Sequence, residues 1–368
     1  MIPPRKQLQP RETTQAKVSD NRPEFNPEML ALAREFHGLT IKELADELKV
    51  TSSYICQLES DVKEPSEKIM ERLVALLKFP REHYFETGRR ESVHPSFYRR
   101  KVEITPVLLR QCSARMQEIR RNLEKLLSQV NAIEVRIPFI DPEECMGGVK
   151  EVAIKTRVHL RIPPGPIRNL TEVMEEAGII IIPFDFGTRK IDACSEWVAG
   201  RPVIFLNQTL PDSRSRHTLA HEMGHLIMHK FITEECEEQA DHFAAEFNLP
   251  EDDIKSELLP MNLDRLARLK LKWKSSMQAI LYRAESLGVI TSRTARYNWM
   301  LLRRYRYHEM EPHEDMMPNE RPSALRELVQ VFTDSLRFSD DDLMKFLRIF
   351  DEFYREVYLG TPLLKLVA

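Results

Sequence analysis

The sequence lacks the features that mark membrane and secreted proteins. No apolar run approaches the roughly 18 residues that a membrane-spanning helix needs, and the first residues, Met-Ile-Pro-Pro-Arg-Lys-Gln, contain no hydrophobic segment of a leader peptide. The five cysteines form no C-x-x-C pair, which argues against a disulfide framework and for a reducing compartment. We therefore expect a cytoplasmic protein with no membrane partner.

The sequence also has little net charge. Its 54 Lys and Arg residues nearly balance 57 Asp and Glu residues, for a net charge of -3, so the overall charge gives no sign of a nucleic-acid partner. A hydrophobic content of 42% and 368 residues are enough for two to three globular domains. Evidence of function has to come from local patterns.

One stretch carries the clearest chemistry, Thr218-Leu-Ala-His221-Glu222-Met-Gly-His225-Leu-Ile-Met-His229. On a helix, the spacing of His221 and His225 places two imidazoles on one face, about 6 Å apart along the axis, close enough to hold one metal ion. Glu222 stands where H-E-x-x-H sites carry the base that takes a proton from a metal-activated water. His229 lies about 12 Å along the axis from His221, too far to bind the same ion, and we expect it to be a helix-end residue.

The next segment offers a third ligand. Its apolar residues recur at helical spacing over 240–247 and predict a second amphipathic helix, with Glu237 and Asp241 on one edge. We predict that Glu237 completes a His2Glu ligand set and that Asp241 accepts the spare N–H of a ligand histidine. Glu238 is the alternative ligand, and a merely exposed acidic helix start is the alternative interpretation. The expected cofactor is Zn²⁺, with Mn²⁺ as the alternative metal.

These two segments together resemble a known family. Arg216-His-Thr-Leu-Ala-His-Glu-Met-Gly-His-Leu-Ile-Met-His, followed by Glu237-x-x-Ala-Asp-x-Phe-Ala-Ala-Glu-Phe-Asn-Leu-Pro250, is similar to the ImmA/IrrE zinc metallopeptidases of bacteria and mobile elements. The resemblance covers roughly residues 150–290 and supports Glu237 as the third ligand. It implies a peptidase that relieves repression by cleaving a partner repressor, itself a small helix-turn-helix protein.

The N-terminal part has the pattern of a helix-turn-helix. Thr40-Ile-Lys-Glu43 has the form of a capping box, Lys49-Val-Thr51 predicts a turn, and a short helix follows in a five-helix bundle that ends near Phe85. Residues 39–59 are similar to the XRE phage-repressor family, in which the second helix of the motif enters the major groove. The resemblance assigns DNA contacts to Ser52, Ser53, Cys56 and Gln57. Because acidic residues are at least as frequent as basic ones here, a protein-docking or dimerising module is the alternative.

We expect a mainly α protein with a small α+β core, in which the metallopeptidase region contains a strand over 179–184 and a hairpin across Ala199-Gly200-Arg201. In the basic region, residues 256–309, Arg and Lys greatly outnumber acidic residues and are interleaved with aromatic residues. This composition suits binding of single-stranded nucleic acid, although a packed basic subdomain is the interpretation that we favour. The predicted regions are a flexible tail (1–23), the helix-turn-helix (24–88), a linker helix (89–135), the metallopeptidase core (136–255), a basic helical subdomain (256–309), a linker (310–322) and C-terminal helices (323–368).

The leading functional hypothesis is a metal-dependent endopeptidase-regulator that cleaves a repressor and binds DNA. One alternative is a DNA-binding regulator whose peptidase-like domain is a non-cleaving sensor. The other is a protease switched by nucleic acid. A second copy of the chain is a further candidate partner, since the C-terminal helices, predicted over 325–338 and 340–358, have apolar faces that need covering.

Overall fold

The computed structural model describes residues 9–10, 24–90, 104–131, 134–231 and 233–360. The predicted tail over 1–23, apart from Gln9 and Pro10, and the part of the predicted linker helix over 91–103 lie outside these residues. The chain divides into two compact units, one made of residues 1–132 and 325–368 and the other of residues 133–324. Within the described residues, no helix combines the length and the apolar character that crossing a membrane requires.

The first unit begins with the helix-turn-helix bundle. Its elements are α1 (Pro27–Phe36), α2 (Ile41–Glu47), α3 (Ser52–Glu59), α4 (Glu67–Leu77) and a 3₁₀ helix (Arg81–Phe85). The capping box is confirmed, because the Thr40 side chain accepts from the Glu43 amide and the Glu43 carboxylate accepts from the Thr40 amide. Lys49 in a left-handed conformation (φ 49°) makes the turn into α3, and Ala45 and Ile55 are buried in the core.

A long helix, α5 (Pro106–Gln129), completes the N-terminal part of this unit. Thr105 caps it and Pro106 occupies its first turn, where a missing N–H costs nothing. It packs along α1, and at its end Val130–Asn131 (β2) pairs with Gln9–Pro10 (β1). Within the predicted linker helix over 89–135, the helix therefore spans Pro106–Gln129.

The second unit is built on a three-stranded sheet and the helices around it. After α6 (Gly148–His159) and α7 (Leu170–Glu176) come β3 (Ile180–Phe184), β4 (Ala193–Val198) and β5 (Arg201–Asn207), in the spatial order β3-β5-β4. β3 runs parallel to β5, and β4 runs antiparallel to it with Ser195 opposite Ile204. The predicted hairpin is confirmed: Ala199 and Gly200 both have positive φ, as a two-residue turn between strands requires.

Two helices contain the residues of the predicted metal site, and the first of them packs on the sheet while the second packs on the first. They are α8 (Asp212–Met228) and α9 (Cys236–Asn248). Leu219, Met223 and Ile227 of α8 and Phe243 and Phe247 of α9 join one buried core with the strands. Gly224 allows α9 to approach α8 closely, since a Cβ at this position would lie 3.0 Å from Phe243 Cδ1.

The basic region forms its own packed helical core. Its helices are α11 (Leu263–Trp273), α12 (Met277–Ser286) and α13 (Ser292–Arg304), and the short α10 (Glu251–Ile254) precedes them. Trp273 and Ile280 are buried in that core, and the Glu311 carboxylate accepts from the Met277 amide at 2.8 Å. Arg283 ties the region to α9 through an ion pair with Glu246 and a bond to Leu249 O at 2.9 Å.

The C-terminal helices return to the first unit. They are α14 (Ala324–Asp334), α15 (Asp340–Leu347) and α16 (Asp351–Val357). The prediction of a single helix over 340–358 is wrong, because Arg348 adopts a left-handed conformation (φ 61°) that ends α15. The ring of Phe353 packs 4.8 Å from that of Phe36 in α1. These helices therefore cover part of their apolar surface against the helix-turn-helix bundle.

Candidate metal centre

The two histidines of the H-E-x-x-H sequence face one another on α8. One helical turn separates them, and their Nε2 atoms lie 3.1 Å apart. Both side chains are largely buried, with His221 7% and His225 6% exposed. The apolar residues between and after them fix this face of α8 against the core, so the imidazoles are held where they meet.

Helix α9 brings a carboxylate to the same point. Glu237 Oε2 lies 3.5 Å from His221 Nε2, and Glu237 Oε1 lies 3.4 Å from His225 Nε2. The neighbouring Glu238 side chain is 77% exposed and lies 4.0 Å from His242 Nε2. Among the described residues, His221, His225 and Glu237 form the one group of three His, Cys, Asp or Glu side chains whose ligand atoms all lie within 4.8 Å of one another.

These distances fit a metal ion. In a tetrahedral zinc site with bonds of about 2.0–2.1 Å, two ligand atoms are about 3.3 Å apart. The two Nε2 atoms are 3.1 Å apart, and each lies 3.4 or 3.5 Å from one oxygen of Glu237, so these distances bracket this value. Imidazole nitrogen and carboxylate oxygen are also donors that zinc prefers.

Asp241, one turn after Glu237, orients the first histidine. Its Oδ1 accepts a hydrogen bond from His221 Nδ1 at 2.7 Å, so in the neutral imidazole the N–H is on Nδ1 and the lone pair of Nε2 faces the other donors. Burial lowers the pKa of His221, but hydrogen bonds with Asp241 and Glu237 outweigh it and raise the pKa to about 9. The side-chain hydrogen bonds that link Glu237 to His221 and His225 hold the pKa of Glu237 well below its usual range. The arrangement thus favours positive charge among the ligand atoms.

Glu222 lies on the same helix and is 3% exposed. The Ser195 hydroxyl of β4 donates to Glu222 Oε2 at 2.6 Å. This bond positions the carboxylate and stabilises its ionised form. Ser195 was not predicted from the sequence, and no local pattern marks it, since it lies on a strand 27 residues before its partner.

His229 is the C-cap of α8, as predicted for a helix-end residue. It also has a contact that was not predicted, because its Nδ1 lies 2.9 Å from His225 Nδ1. Its Nε2 lies 2.9 Å from Gln239 Oε1 of α9. The sequence did carry a signal, because 221, 225 and 229 repeat at the spacing of one helical face.

Three other His and Cys side chains of α8 and α9 have partners outside the ligand set. His217 Nε2 lies 3.8 Å from Asp241 Oδ1, on the rim of the site. His242 pairs with Glu238 on an exposed part of α9. Cys236 is buried, with its sulfur near Thr233 and the Phe231 carbonyl, which is the setting of a packed thiol.

The residues predicted to contact DNA lie on α3 of the first unit. Ser52, Ser53 and Cys56 are exposed and Gln57 is half-buried, so three of the four side chains are open to solvent. The buried ion pair of Arg34 Nε with Glu59 Oε1, at 2.6 Å, fixes the end of α3 against α1.

Comparison with known families separates the helix-turn-helix bundle from the region of the metal centre. Residues 28–88 match the family model of a helix-turn-helix domain, and residues 174–285 match that of the IrrE N-terminal-like domain. No curated protein and no solved structure gives a match. The two matches confirm both resemblances drawn from the sequence, in the same order along the chain. The chain therefore joins a helix-turn-helix domain to a peptidase-like domain, a combination that supports a DNA-binding regulator.

Proposed function

We propose that the chain is a zinc-dependent endopeptidase that regulates transcription by cleaving a partner repressor. The observation that carries this proposal is the convergence of His221, His225 and Glu237, with the buried Glu222 carboxylate on the same helix. Three protein ligands leave the fourth position of a tetrahedron for water or substrate, which is the arrangement of catalytic zinc sites. Mn²⁺ is the alternative metal.

The mechanism assigns the proton transfers to Glu222. A metal ion held by the three ligands would lower the pKa of water and polarise a peptide carbonyl. Glu222 accepts the proton of the attacking water on its carboxylate and returns it to the nitrogen of the leaving amine. Ser195 holds Oε2 of this carboxylate during both transfers, and Asp241 holds the imidazole of His221. His217, on the rim, is a candidate to stabilise the carbonyl oxygen as charge develops on it.

The substrate that the site fits is an extended segment of a protein. β4 is at the edge of the sheet and its Ser195 contacts Glu222, so a peptide that paired with β4 would pass beside the base. The start of α9 is acidic, with Glu234, Glu235 and Glu238 exposed, which favours a basic segment. By family resemblance this protein is a small helix-turn-helix repressor.

The helix-turn-helix domain would direct this activity to DNA. We assign the base contacts to Ser52, Ser53, Cys56 and Gln57, of which Gln57 can form a bidentate pair with adenine. Protein docking or dimerisation through the same domain is the alternative. We also propose a cytoplasmic location, which suits DNA binding as well as docking to a repressor.

The proposal is tested with the purified protein and a small helix-turn-helix repressor, chosen from reading frames that neighbour its gene. We expect wild type to retain about one zinc ion and to cut the repressor, while Glu222→Gln retains the metal and cuts at least about 100-fold more slowly, since it keeps the ligands and loses the base. Metal analysis and gel electrophoresis provide the two measurements. If wild type binds metal but cuts no repressor, and Glu222→Gln regulates transcription as well as wild type does, the domain is a non-cleaving sensor.

A second candidate function rests on the exposed face of α13. Arg293, Arg296, Tyr297 and Arg303 share this face and are exposed, and α13 contains no acidic residue. Arginines that contact phosphates, together with tyrosines that stack on bases, are typical of sites for single-stranded nucleic acid. A nucleic acid bound there would switch the protease on.

This candidate predicts that single-stranded DNA raises the cleavage rate at low salt and that Arg293→Gln with Arg303→Gln removes the increase. Arg306→Gln is the matched control, because Arg306 is also exposed but is paired with Glu309 at 2.9 Å. An unchanged rate at low salt would exclude the nucleic-acid switch.

A further inference from the structure

A chain of two hydrogen bonds extends from the second ligand histidine into α9. It runs from His225 Nδ1 to His229 Nδ1 at 2.9 Å and from His229 Nε2 to Gln239 Oε1 at 2.9 Å. His229 and Gln239 are both half-buried. The chain lies on the side of His225 opposite to Nε2, the atom that faces His221 and Glu237.

The partners in this chain fix where each proton lies. Gln239 Oε1 is a carbonyl oxygen and accepts, so His229 Nε2 must carry the hydrogen. In a neutral imidazole the other nitrogen then has a lone pair, and His229 Nδ1 can only accept. His225 Nδ1 therefore donates to it. In a neutral His225 imidazole, Nε2 then has no hydrogen and directs its lone pair at the other two donors.

We propose that His229 and Gln239 are positioning residues for the metal centre: together they set the tautomer and the ring orientation of His225. This inference rests on the metal-binding function proposed above and adds two residues to it. His221 receives the same tautomer directly from Asp241, so α9 orients both ligand histidines while also supplying Glu237.

The two histidines differ in the charge of the group that orients them. Asp241 is a carboxylate, whereas the His229–Gln239 pair contains none. The pair therefore orients His225 without adding a negative charge to a site that already has Glu222, Glu237 and Asp241 close by. The same chain ties the C-terminal end of α8 to α9, which limits fraying of the turn that carries His225.

The test compares variants that keep or remove the acceptor for His225. His229→Leu fills a similar volume without an acceptor, while His229→Asn offers a carbonyl Oδ1 close to the position of the imidazole Nδ1. Gln239→Leu and Gln239→Glu form the matching pair at the other position, since the glutamate keeps an acceptor for His229 Nε2. His242→Leu is the control, because His242 is an exposed histidine of α9 whose partner is Glu238.

Zinc affinity is measured by competition with a chromogenic chelator, and the visible spectrum of the Co²⁺-loaded protein reports ligand geometry. We expect His229→Leu and Gln239→Leu to bind zinc about 10–100-fold more weakly, as loss of such partners of ligand histidines does. His229→Asn and Gln239→Glu should recover most of the affinity, and His242→Leu should match wild type. Thermal unfolding of the metal-free proteins separates a loss of folding from a loss of ligand orientation.

The possible results separate this inference from the function on which it rests. If wild type binds zinc and the two leucine variants bind it equally well with an unchanged Co²⁺ spectrum, the positioning role is refuted while the metal site stands. A loss of affinity that the Asn and Glu variants do not recover, with metal-free proteins of equal stability, also refutes it. If wild type itself binds no metal, the proposed function fails.

Discussion

The assignment of the third ligand can be tested by removing one carboxylate at a time from the start of α9. Glu237 and Glu238 are adjacent in sequence and chemically identical, yet only Glu237 has its oxygens 3.4 and 3.5 Å from the imidazole nitrogens. Glu238 is exposed and directed at His242. Glu237→Ala should weaken zinc binding, and Glu238→Ala should leave it unchanged.

The size of the effect follows from the ligand count. Structural zinc sites with four protein ligands bind with about 10–16 kcal/mol, so one ligand contributes roughly 3 kcal/mol. Because about 1.4 kcal/mol corresponds to a tenfold change in Kd, complete loss of the carboxylate ligand would weaken binding by about 100-fold. The Glu237 side chain is 39% exposed, so water can occupy the vacated position and recover part of this energy. We expect a loss of about 10–100-fold.

The measurement is zinc affinity by chelator competition at constant pH, with metal content checked by elemental analysis after dialysis. Circular dichroism of both metal-free variants controls for folding, since both substitutions are at the partly solvated start of one helix. Equal affinities of wild type and Glu237→Ala, or a loss confined to Glu238→Ala, would refute the ligand assignment.

Two further predictions concern packing and pH. Gly224→Ala places a Cβ 3.0 Å from Phe243 Cδ1, and we expect this overpacking to cost about 1–3 kcal/mol of stability, offset in part by about 1 kcal/mol of helix propensity. Zinc binding should also weaken, because α9 carries Glu237. Thermal unfolding and chelator competition measure the two effects, and an unchanged zinc affinity would contradict the prediction. The second prediction concerns Glu118, whose pKa burial raises from 4.5 to about 7. Its protonated form therefore contributes stability that is present below about pH 4.5 and is lost as pH rises through about 7. The free energy of unfolding should fall by roughly 3 kcal/mol over this range. Glu118→Gln should flatten this decline, which urea unfolding followed by circular dichroism measures. Tryptophan fluorescence is an internal control, because all three tryptophans lie in the 133–324 unit. An identical decline in wild type and variant would contradict the role of Glu118.

Several parts of the fold follow from local sequence alone. The capping box at Thr40 and Glu43, the hairpin turn at Ala199 and Gly200 and the long helix that begins after Thr105 are set by residues close to one another in the chain, and the structure contains all three. The helix break at Arg348 was missed, because an arginine in a left-handed conformation has no sequence signal comparable to that of glycine.

The domain boundaries and the roles of the individual site residues stay predictions. The sequence assigned the C-terminal helices to a region of their own, whereas contacts such as that of Phe353 with Phe36 place them in the same compact unit as the helix-turn-helix bundle. The apolar faces of these helices predicted that another surface covers them. Because hydrophobic contact is not directional, periodicity alone does not identify that surface.

Local sequence is enough to place two imidazoles on one face of a helix, because helical periodicity converts a spacing of four residues into a common face. Which acid of α9 meets those imidazoles depends on tertiary packing, since adjacent helix residues point about 100° apart and the packing of Phe243 against Gly224 sets the rotation. The same holds for the bonds of Ser195 to Glu222 and of His229 to Gln239. Each joins two different elements, and such bonds depend on how a strand and two helices pack rather than on any pattern within one of them.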